Sequence, residues 1–286
     1  PTVNKNFRTY IKEANVGAML NVYSAKGTRD LQKLAVEETR LGIPLLFSYD
    51  VIHGFKTIFP INLGLAASWD LDDIEKSSRV AAEEASAVGI HWTFAPMVDV
   101  ARDPRWGRIS EGTGEDVYLA SKITKAYVNG FQGDDLSKNN TILACAKHFV
   151  GYGAAQAGRD YHTVNMSEGE LRNVFLPPFK ASIDAGVETF MTAFNEVNGV
   201  PATGNSFLYR DILRDEWNFN GFVVTDYTAI MEMVKHGFAK DEKHAAKLAI
   251  EAGIDQDMMS SAYRLYLEEL VNEGDVDVKF IDDACR

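Results

Sequence analysis

Gly221-Phe222-Val223-Val224-Thr225-Asp226-Tyr227 is a run of small and apolar residues that stops on a carboxylate. Phe222 to Val224 show no polar alternation. The stretch therefore reads as a short strand buried on both faces, as strands of a parallel sheet are. Asp226 falls where that strand ends. In α/β architectures chemistry collects at the C-terminal ends of strands, because the loops that follow them converge on one face. A carboxylate is costly to bury without partners. Asp226 thus belongs either to a polar site or to a turn that it caps.

The same form recurs along the chain. Val16–Val22, Ile43–Asp50, Ile90–Val100, Ile142–Phe149 and Val187–Asn195 read as strands, and Gly253–Asp257 as a short strand-like piece. Helical spacing separates them at Asn6–Asn15, Asp30–Arg40, Asp70–Val88, Asp116–Phe131, Ser167–Ala185, Asn205–Trp217, Asp241–Glu251 and Ser260–Asn272. Gly89 closes the third of these helices, and Ser167 with Glu170 stands at capping-box spacing. Strand and helix alternate about seven times with no internal boundary, which predicts one α/β domain, a (β/α)8 TIM-like barrel that need not be complete at its termini. An open doubly wound sheet is the alternative. It lacks its usual mark, since no Gly-x-Gly-x-x-Gly opens a helix after a strand.

The totals suit one such domain. The chain has 286 residues, 46% of them apolar and 24% charged. A net charge of −12 argues against nucleic acid and anionic membrane surfaces as partners. No apolar run is long enough for a membrane helix. Cys145 and Cys285 make neither a disulfide framework nor a metal cluster, and no histidine spacing suggests a metal, so neither metal nor cofactor is expected. Pro1-Thr2-Val3-Asn4 has none of the regions of a signal peptide. Phe280 to Arg286 reads as a helix opening rather than closing, which suggests a piece of a longer protein.

The predicted strand ends carry Asp50, Asp99, Lys147-His148, Asn195, Asp226, Asp255 and Asp257, and an Arg-rich loop, Arg102 to Arg108, follows Asp99. On a barrel these converge on one rim. Carboxylates, cations and amides around a cleft suit a ligand covered in hydroxyls, which donate and accept at once. Trp106, Tyr49, Tyr152 and Tyr227 are candidate stacking faces for a sugar ring. Each group also has a structural reading. The aspartates can cap turns, Arg102 and Arg105 can hold a loop by ion pairs, and Lys147 can snorkel. His236 and His244 read as surface residues.

Four motifs then stand in order: Asp103-Pro104-Arg105-Trp106-Gly107-Arg108; Lys147-His148-Phe149-Val150-Gly151-Tyr152-Gly153; Met191-Thr192-Ala193-Phe194-Asn195 with Asn198-Gly199-Val200-Pro201-Ala202-Thr203; and Gly221 to Tyr227. With them the chain, from about Val16 onward, resembles the N-terminal barrel domain of family 3 glycoside hydrolases of the bacterial β-glucosidase type. The resemblance implies a retaining exo-β-glycosidase acting on β-glucosides or oligosaccharides. It implies Asp226 as nucleophile, in a Thr-Asp-Tyr that stands where the family has Ser-Asp-Trp. It implies that Asp50, Arg108, Lys147 and His148 hold the sugar, with Met191 and Tyr227 walling it.

Retaining hydrolysis also needs a general acid/base. In two-domain members this is a Glu of a C-terminal α/β domain, which residues 1–286 would not include. Single-domain N-acetylglucosaminidases use an Asp-x-His pair in the loop after Lys-His. Asp160-Tyr161-His162 lies in that loop here, though without the Pro-Gly-His-Gly-Asp sequence of those enzymes. The resemblance leaves β-xyloside and N-acetylglucosaminide as other substrates, and a sugar-binding fragment without turnover as another function. It favours a periplasmic or secreted location over a cytoplasmic one, which stays open, and is compatible with a homo-oligomer.

Overall fold

The computed structural model describes residues 5–286, so Pro1–Asn4 and the reading made of them lie outside the described residues. Helix α1 (Lys5–Lys12) leads into β1 (Ala18–Leu20), α2 (Ala25–Glu37), β2 (Leu46–Tyr49), the short α3 (Asn62–Ala66), α4 (Leu71–Ser86), β3 (Trp92–Thr93), α5 (Val117–Gln132) and β4 (Cys145–Phe149). Then come α6 (Glu168–Glu170), α7 (Pro177–Asp184), β5 (Thr189–Thr192) and a small antiparallel hairpin of β6 (Glu196–Val197) and β7 (Val200–Pro201). Strand β8 (Phe222–Val224) and four helices complete the chain: α8 (Ala229–Lys235), α9 (Glu242–Ala252), α10 (Ala262–Asn272) and α11 (Val278–Cys285).

The strands pair in parallel as β1-β2-β3 and β4-β5-β8. Parallel bridges Trp92 to Leu143 and Met97 to Lys147 join the two sets, and Val224 to Gln256 adds a last position beyond β8. The sheet curls. Trp92, Phe94, Cys145, Met191, Val224 and Met258 form one interior cluster, and Ala18, Leu20 and Leu46 from the first two strands pack against it. Inside, the Trp92 indole N–H donates to Thr189 Oγ1 at 2.9 Å, and Thr189 Oγ1 donates to Ala144 O at 2.7 Å, so both buried polar groups are satisfied. Among the described residues no ladder closes the ring between Gln256 and β1. The fold is an α/β, TIM-barrel-like domain, without a closed ladder among the described residues.

The helices cover the outside of the sheet. Ile74, Ala81 and Ala85 of α4 and Ile123, Tyr127 and Phe131 of α5 lie in the main core between layers. The predicted helix starts hold at Asp70, Asp116, Ser167 and Asp241, whose side chains accept from Asp73, Leu119, Glu170 and His244 N–H. Helix α2 begins earlier than the spacing predicts, because Ser24 caps it through Gly27 N–H. The segments expected as single helices after Ser167 and Asn205 contain wider π turns at Leu171–Phe175 and Phe207–Glu216. The long strand expected at Ile90–Val100 forms a regular ladder only at Trp92–Thr93. Pro96 has no N–H to give a ladder, so pairing there runs through carbonyls, Ala95 O accepting from Cys145 N–H at 2.7 Å and Pro96 O from Lys147 N–H at 3.1 Å, before Val98 N–H reaches Lys147 O at 2.8 Å.

At Gly130 α5 lies tight against α4. A Cβ there would stand 1.8 Å from Ser78 Oγ and 2.4 Å from Glu75 O. Alanine would gain about 1 kcal/mol of helix propensity. Overpacking against a backbone carbonyl costs about 1–3 kcal/mol or more, and this contact is at the severe end. Gly130→Ala should therefore lower the thermal midpoint by a few degrees in a melting scan. An unchanged or raised midpoint would mean that the helices separate freely.

Candidate active site

The C-terminal strand ends meet at one rim. The register between β4 and β5 shifts between Ala146 and Phe149, an irregularity of the kind that re-aims side chains. The side chains of Lys147 and His148 are both buried there. Lys147 Nζ donates to Asp50 Oδ1, at the end of β2, at 2.9 Å, and the Asp50 side chain is about half exposed. His148 turns to Asp99 instead. Its backbone N–H donates to Asp99 Oδ2 at 2.9 Å, and its Nδ1 lies 2.8 Å from the same oxygen.

The proton on His148 can be located. Arg108 Nη2 lies 3.1 Å from His148 Nε2. A guanidinium only donates, so Nε2 is the acceptor and the proton sits on Nδ1, facing Asp99. Burial, with Arg108 and Lys147 beside it, holds His148 well below its usual pKa, which keeps the ring neutral. Burial also raises the Asp99 carboxyl, against the pull of the His148 N–H and Arg108. Arg108 is fixed in turn by a two-pronged pair with Glu111, at 2.7 and 2.8 Å, and lies over the Tyr152 ring.

Asp226 completes the rim. Its backbone N–H donates to Thr192 Oγ1 at 3.2 Å, and its Oδ1 accepts from Tyr227 N–H at 2.7 Å. Oδ2 lies 3.4 Å from His148 Nε2. That contact is not a hydrogen bond, because the Nε2 lone pair is used by Arg108. Only 13% of the Asp226 side chain is exposed. Burial pushes its carboxyl up to about 6, while Lys147, the Tyr227 N–H and Arg108 pull it down. The result is a lightly hydrated carboxylate next to cations it does not touch, with one oxygen free of strong donors.

A model of the glycosyl hydrolase family 3 N terminal domain matches residues 2–286. The chain belongs to glycosyl hydrolase family 3. It is 46% identical over 279 residues to the periplasmic beta-glucosidase of Salmonella typhimurium, covering 98% of this chain and 36% of that protein. A putative beta-xylosidase of Formosa agariphila is 36% identical over 273 residues, covering 93% of this chain and 36% of that protein. The crystal structure of the beta-glucosidase from Listeria innocua in complex with glucose superposes with a TM-score of 0.91 at 46% identity, over 94% of this chain and 38% of that one. The chain thus spans somewhat more than a third of the length of these relatives.

Within this family 3 domain, Asp50, Arg108, Lys147, His148 and Asp226 come together. Met191 lies in the interior cluster, 2% exposed, and Tyr227 stands half exposed beside Asp226. Two expected stacking faces are not available. Trp106 is 1% exposed and Tyr152 fully buried. They brace the site from behind, because Trp106 Nε1 donates to Asp160 Oδ1 at 2.8 Å and the Tyr152 ring packs edge-on against Trp106 and His148. That contact holds one Asp160 oxygen on the loop after β4. His162 is partly buried and its Nδ1 has no partner among the described residues. Arg102 and Arg105 follow their structural reading, paired with Glu170 and Asp103. His236 does not, being half-buried with Nδ1 2.9 Å from Glu196 Oε1.

Glu111, Thr192, Tyr161 and Glu232 also face this region and were not singled out from the sequence. Glu111 had a signal, three residues beyond Arg108 in a helical turn. Thr192 and Tyr161 stood inside quoted motifs without a role of their own, and Glu232 had no signal. No helix of the described residues is long and apolar enough to cross a membrane.

Proposed function

We propose that the intact protein is a retaining exo-β-glucosidase, with Asp226 as nucleophile and this domain as its glycone pocket. The observation that carries the reading is the Asp226 carboxylate, nearly buried at a strand end and ringed by Lys147, Arg108 and neutral His148 without being neutralised by contact. Glucosidase names among the relatives favour a glucoside over a xyloside. Terminal β-glucosides and oligosaccharides are the proposed substrates.

The chemistry follows from the rim. Asp226 Oδ attacks the anomeric carbon, a glycosyl ester forms, and the bond to the leaving oxygen breaks. Lys147 with Asp50, and Arg108 braced by Glu111 and His148, offer donor and acceptor together to ring hydroxyls. Tyr227 walls the sugar in this reading, while Met191, expected beside it, lies in the interior cluster. The leaving oxygen takes its proton from an acid/base outside residues 1–286, in a C-terminal domain of the intact protein. A periplasmic or secreted location fits the name of the Salmonella relative.

A 2-deoxy-2-fluoro-β-glucosyl fluoride traps such an ester. The expected result is a stoichiometric mass increase on the peptide that holds Asp226. Labelling elsewhere, or none with an active protein, would sink the reading. The nucleophile must also be ionised, so kcat/KM should rise with pH through an apparent pKa near 6. A profile flat from pH 4 to 7 would contradict that.

Lys147→Ala and Arg108→Ala should raise KM and also lower kcat by about 10–100-fold each, the worth of a charged hydrogen bond that tightens in the transition state. If kinetics on an aryl β-glucoside stay intact while only the melting temperature falls, the cations are structural.

A further inference from the structure

Asp99 is buried beside the rim, and the proposed chemistry gives it no part. Val98 N–H reaches Lys147 O at 2.8 Å, which sets Asp99 against His148 of the neighbouring strand. One oxygen, Oδ2, accepts both the backbone N–H and the Nδ1–H of His148, at 2.9 and 2.8 Å. The other, Oδ1, is buried and has no partner among the described residues. All the hydrogen bonding of this carboxyl therefore goes to one neighbour. Oδ2 accepts from both groups whether or not Oδ1 carries a proton, so the arrangement does not depend on the charge of Asp99.

His148 is the link to the nucleophile. Its ring is fully buried and neutral, and a neutral imidazole has one donor and one acceptor. With the proton held on Nδ1, Nε2 presents only a lone pair. Arg108 Nη2 has two hydrogens, and its contacts use both, one on Glu111 Oε2 at 2.8 Å and one on His148 Nε2 at 3.1 Å. Asp226 Oδ2 lies 3.4 Å from the same Nε2. A proton on Nε2 would aim a donor at this carboxylate, and also at Arg108, which itself donates.

We propose that Asp99 acts as a positioning residue for the nucleophile, fixing the His148 proton on Nδ1 so that the ring takes a hydrogen of Arg108 and gives none to Asp226. The inference rests on the glucosidase reading. Tyr227 N–H holds Asp226 Oδ1 at 2.7 Å, so Oδ2 is the oxygen left for the anomeric carbon. A hydrogen bond from His148 would stabilise that oxygen while it is charged and weaken as the ester forms, which raises the barrier.

The test uses the intact protein labelled with ¹⁵N-histidine, with Asp99→Val and Asp99→Asn. In magic-angle-spinning spectra the His148 ring, assigned by the signals missing from His148→Gln, should carry its proton on Nδ1. Valine nearly fills the space of aspartate without an acceptor. In Asp99→Val the proton should move to Nε2, and kcat/KM on 2,4-dinitrophenyl β-glucoside should fall about 10–100-fold, the size expected for a hydrogen bond to a charged group. The acid limb of its pH profile should also move to lower pH, because the new donor stabilises the carboxylate. Lys147, Arg108, Asp50, Tyr161 and Glu232 also act on Asp226 or feel its charge, and they are the same in every variant. Asparagine removes the charge as valine does, but its carbonyl can accept from both His148 N–H groups. Asp99→Asn should therefore keep the Nδ1 proton and recover most of the rate. A proton on Nε2 in the unaltered protein, an undiminished rate in Asp99→Val, or equal losses in both variants with the acid limb unmoved would each overturn the proposal. The spectra of the unaltered protein and of Asp99→Asn keep the answer readable if the valine variant misfolds. An unaltered protein inert on the glucoside sinks the glucosidase reading and this inference with it, whereas an active protein with any of the contrary outcomes sinks this inference alone.

Discussion

Asp226→Asn should lose turnover by about a thousandfold or more while becoming more stable at neutral pH. The kinetic half follows from chemistry, since an amide is a poor nucleophile and no glycosyl ester can form. The stability half follows from linkage. The Asp226 carboxyl titrates at about 6 in the folded chain, chiefly because it is buried, against an ordinary value of 3.8. A raised carboxyl favours the folded state below pH 3.8, where it is protonated in both states. That contribution is lost as pH rises through 6, when the folded chain must hold a buried charge. Two units correspond to roughly 3 kcal/mol. Asparagine has nearly the same shape and never charges, so its melting temperature should exceed that of the parent at pH 7–8 and match it near pH 4. Retained turnover would remove Asp226 from the mechanism. A variant less stable at every pH would mean that the carboxylate is structural.

The second large effect concerns the proton. Residues 1–286 produced alone should attack 2,4-dinitrophenyl β-glucoside and be nearly inert on cellobiose. Dinitrophenolate departs without protonation, whereas a sugar alkoxide does not. General acid catalysis contributes about 10²–10⁴-fold, and the gap between the substrates should be of that order. Release of the glycosyl-enzyme would also be slow without a base for water, so a burst followed by a stall is expected in a stopped-flow trace. Brisk cellobiose hydrolysis by this chain, lost in His162→Ala or Asp160→Ala, would move the acid/base into the loop after β4.

Much of this was legible because strand ends are punctuated. Asp226, Lys147-His148 and Asp50 each interrupt an apolar run, and a parallel sheet brings such interruptions to one rim. Arg108 was legible as a motif residue but not as a braced one, because the pair with Glu111 and the contact to His148 depend on loop geometry. Trp106 and Tyr152 were read as sugar platforms because their type suits stacking; type does not say which ring lies beneath the other. Glu232 was silent, a lone carboxylate on a polar helix flank. The broken strand around Pro96 and the π turns are outcomes of packing that period alone does not reveal.

With no ladder between Gln256 and β1 among the described residues, the two ends of the sheet rest on different cores. Strands β1 and β2 rest with α1 and α2 on a small core of their own, built from Ile11, Met19, Leu31, Leu34, Ala35, Leu45 and Phe47. The strands that carry His148 and Asp226 are anchored in the large core. Regions with fewer buried contacts open first and exchange their amide hydrogens soonest. Asp50, however, stands between Tyr49 and Val51, which pack in the large core, and Val51 N–H is held by Thr93 Oγ1 at 3.1 Å. Loosening of α1, α2 and the start of the sheet would therefore leave Lys147 its partner and the nucleophile its strand.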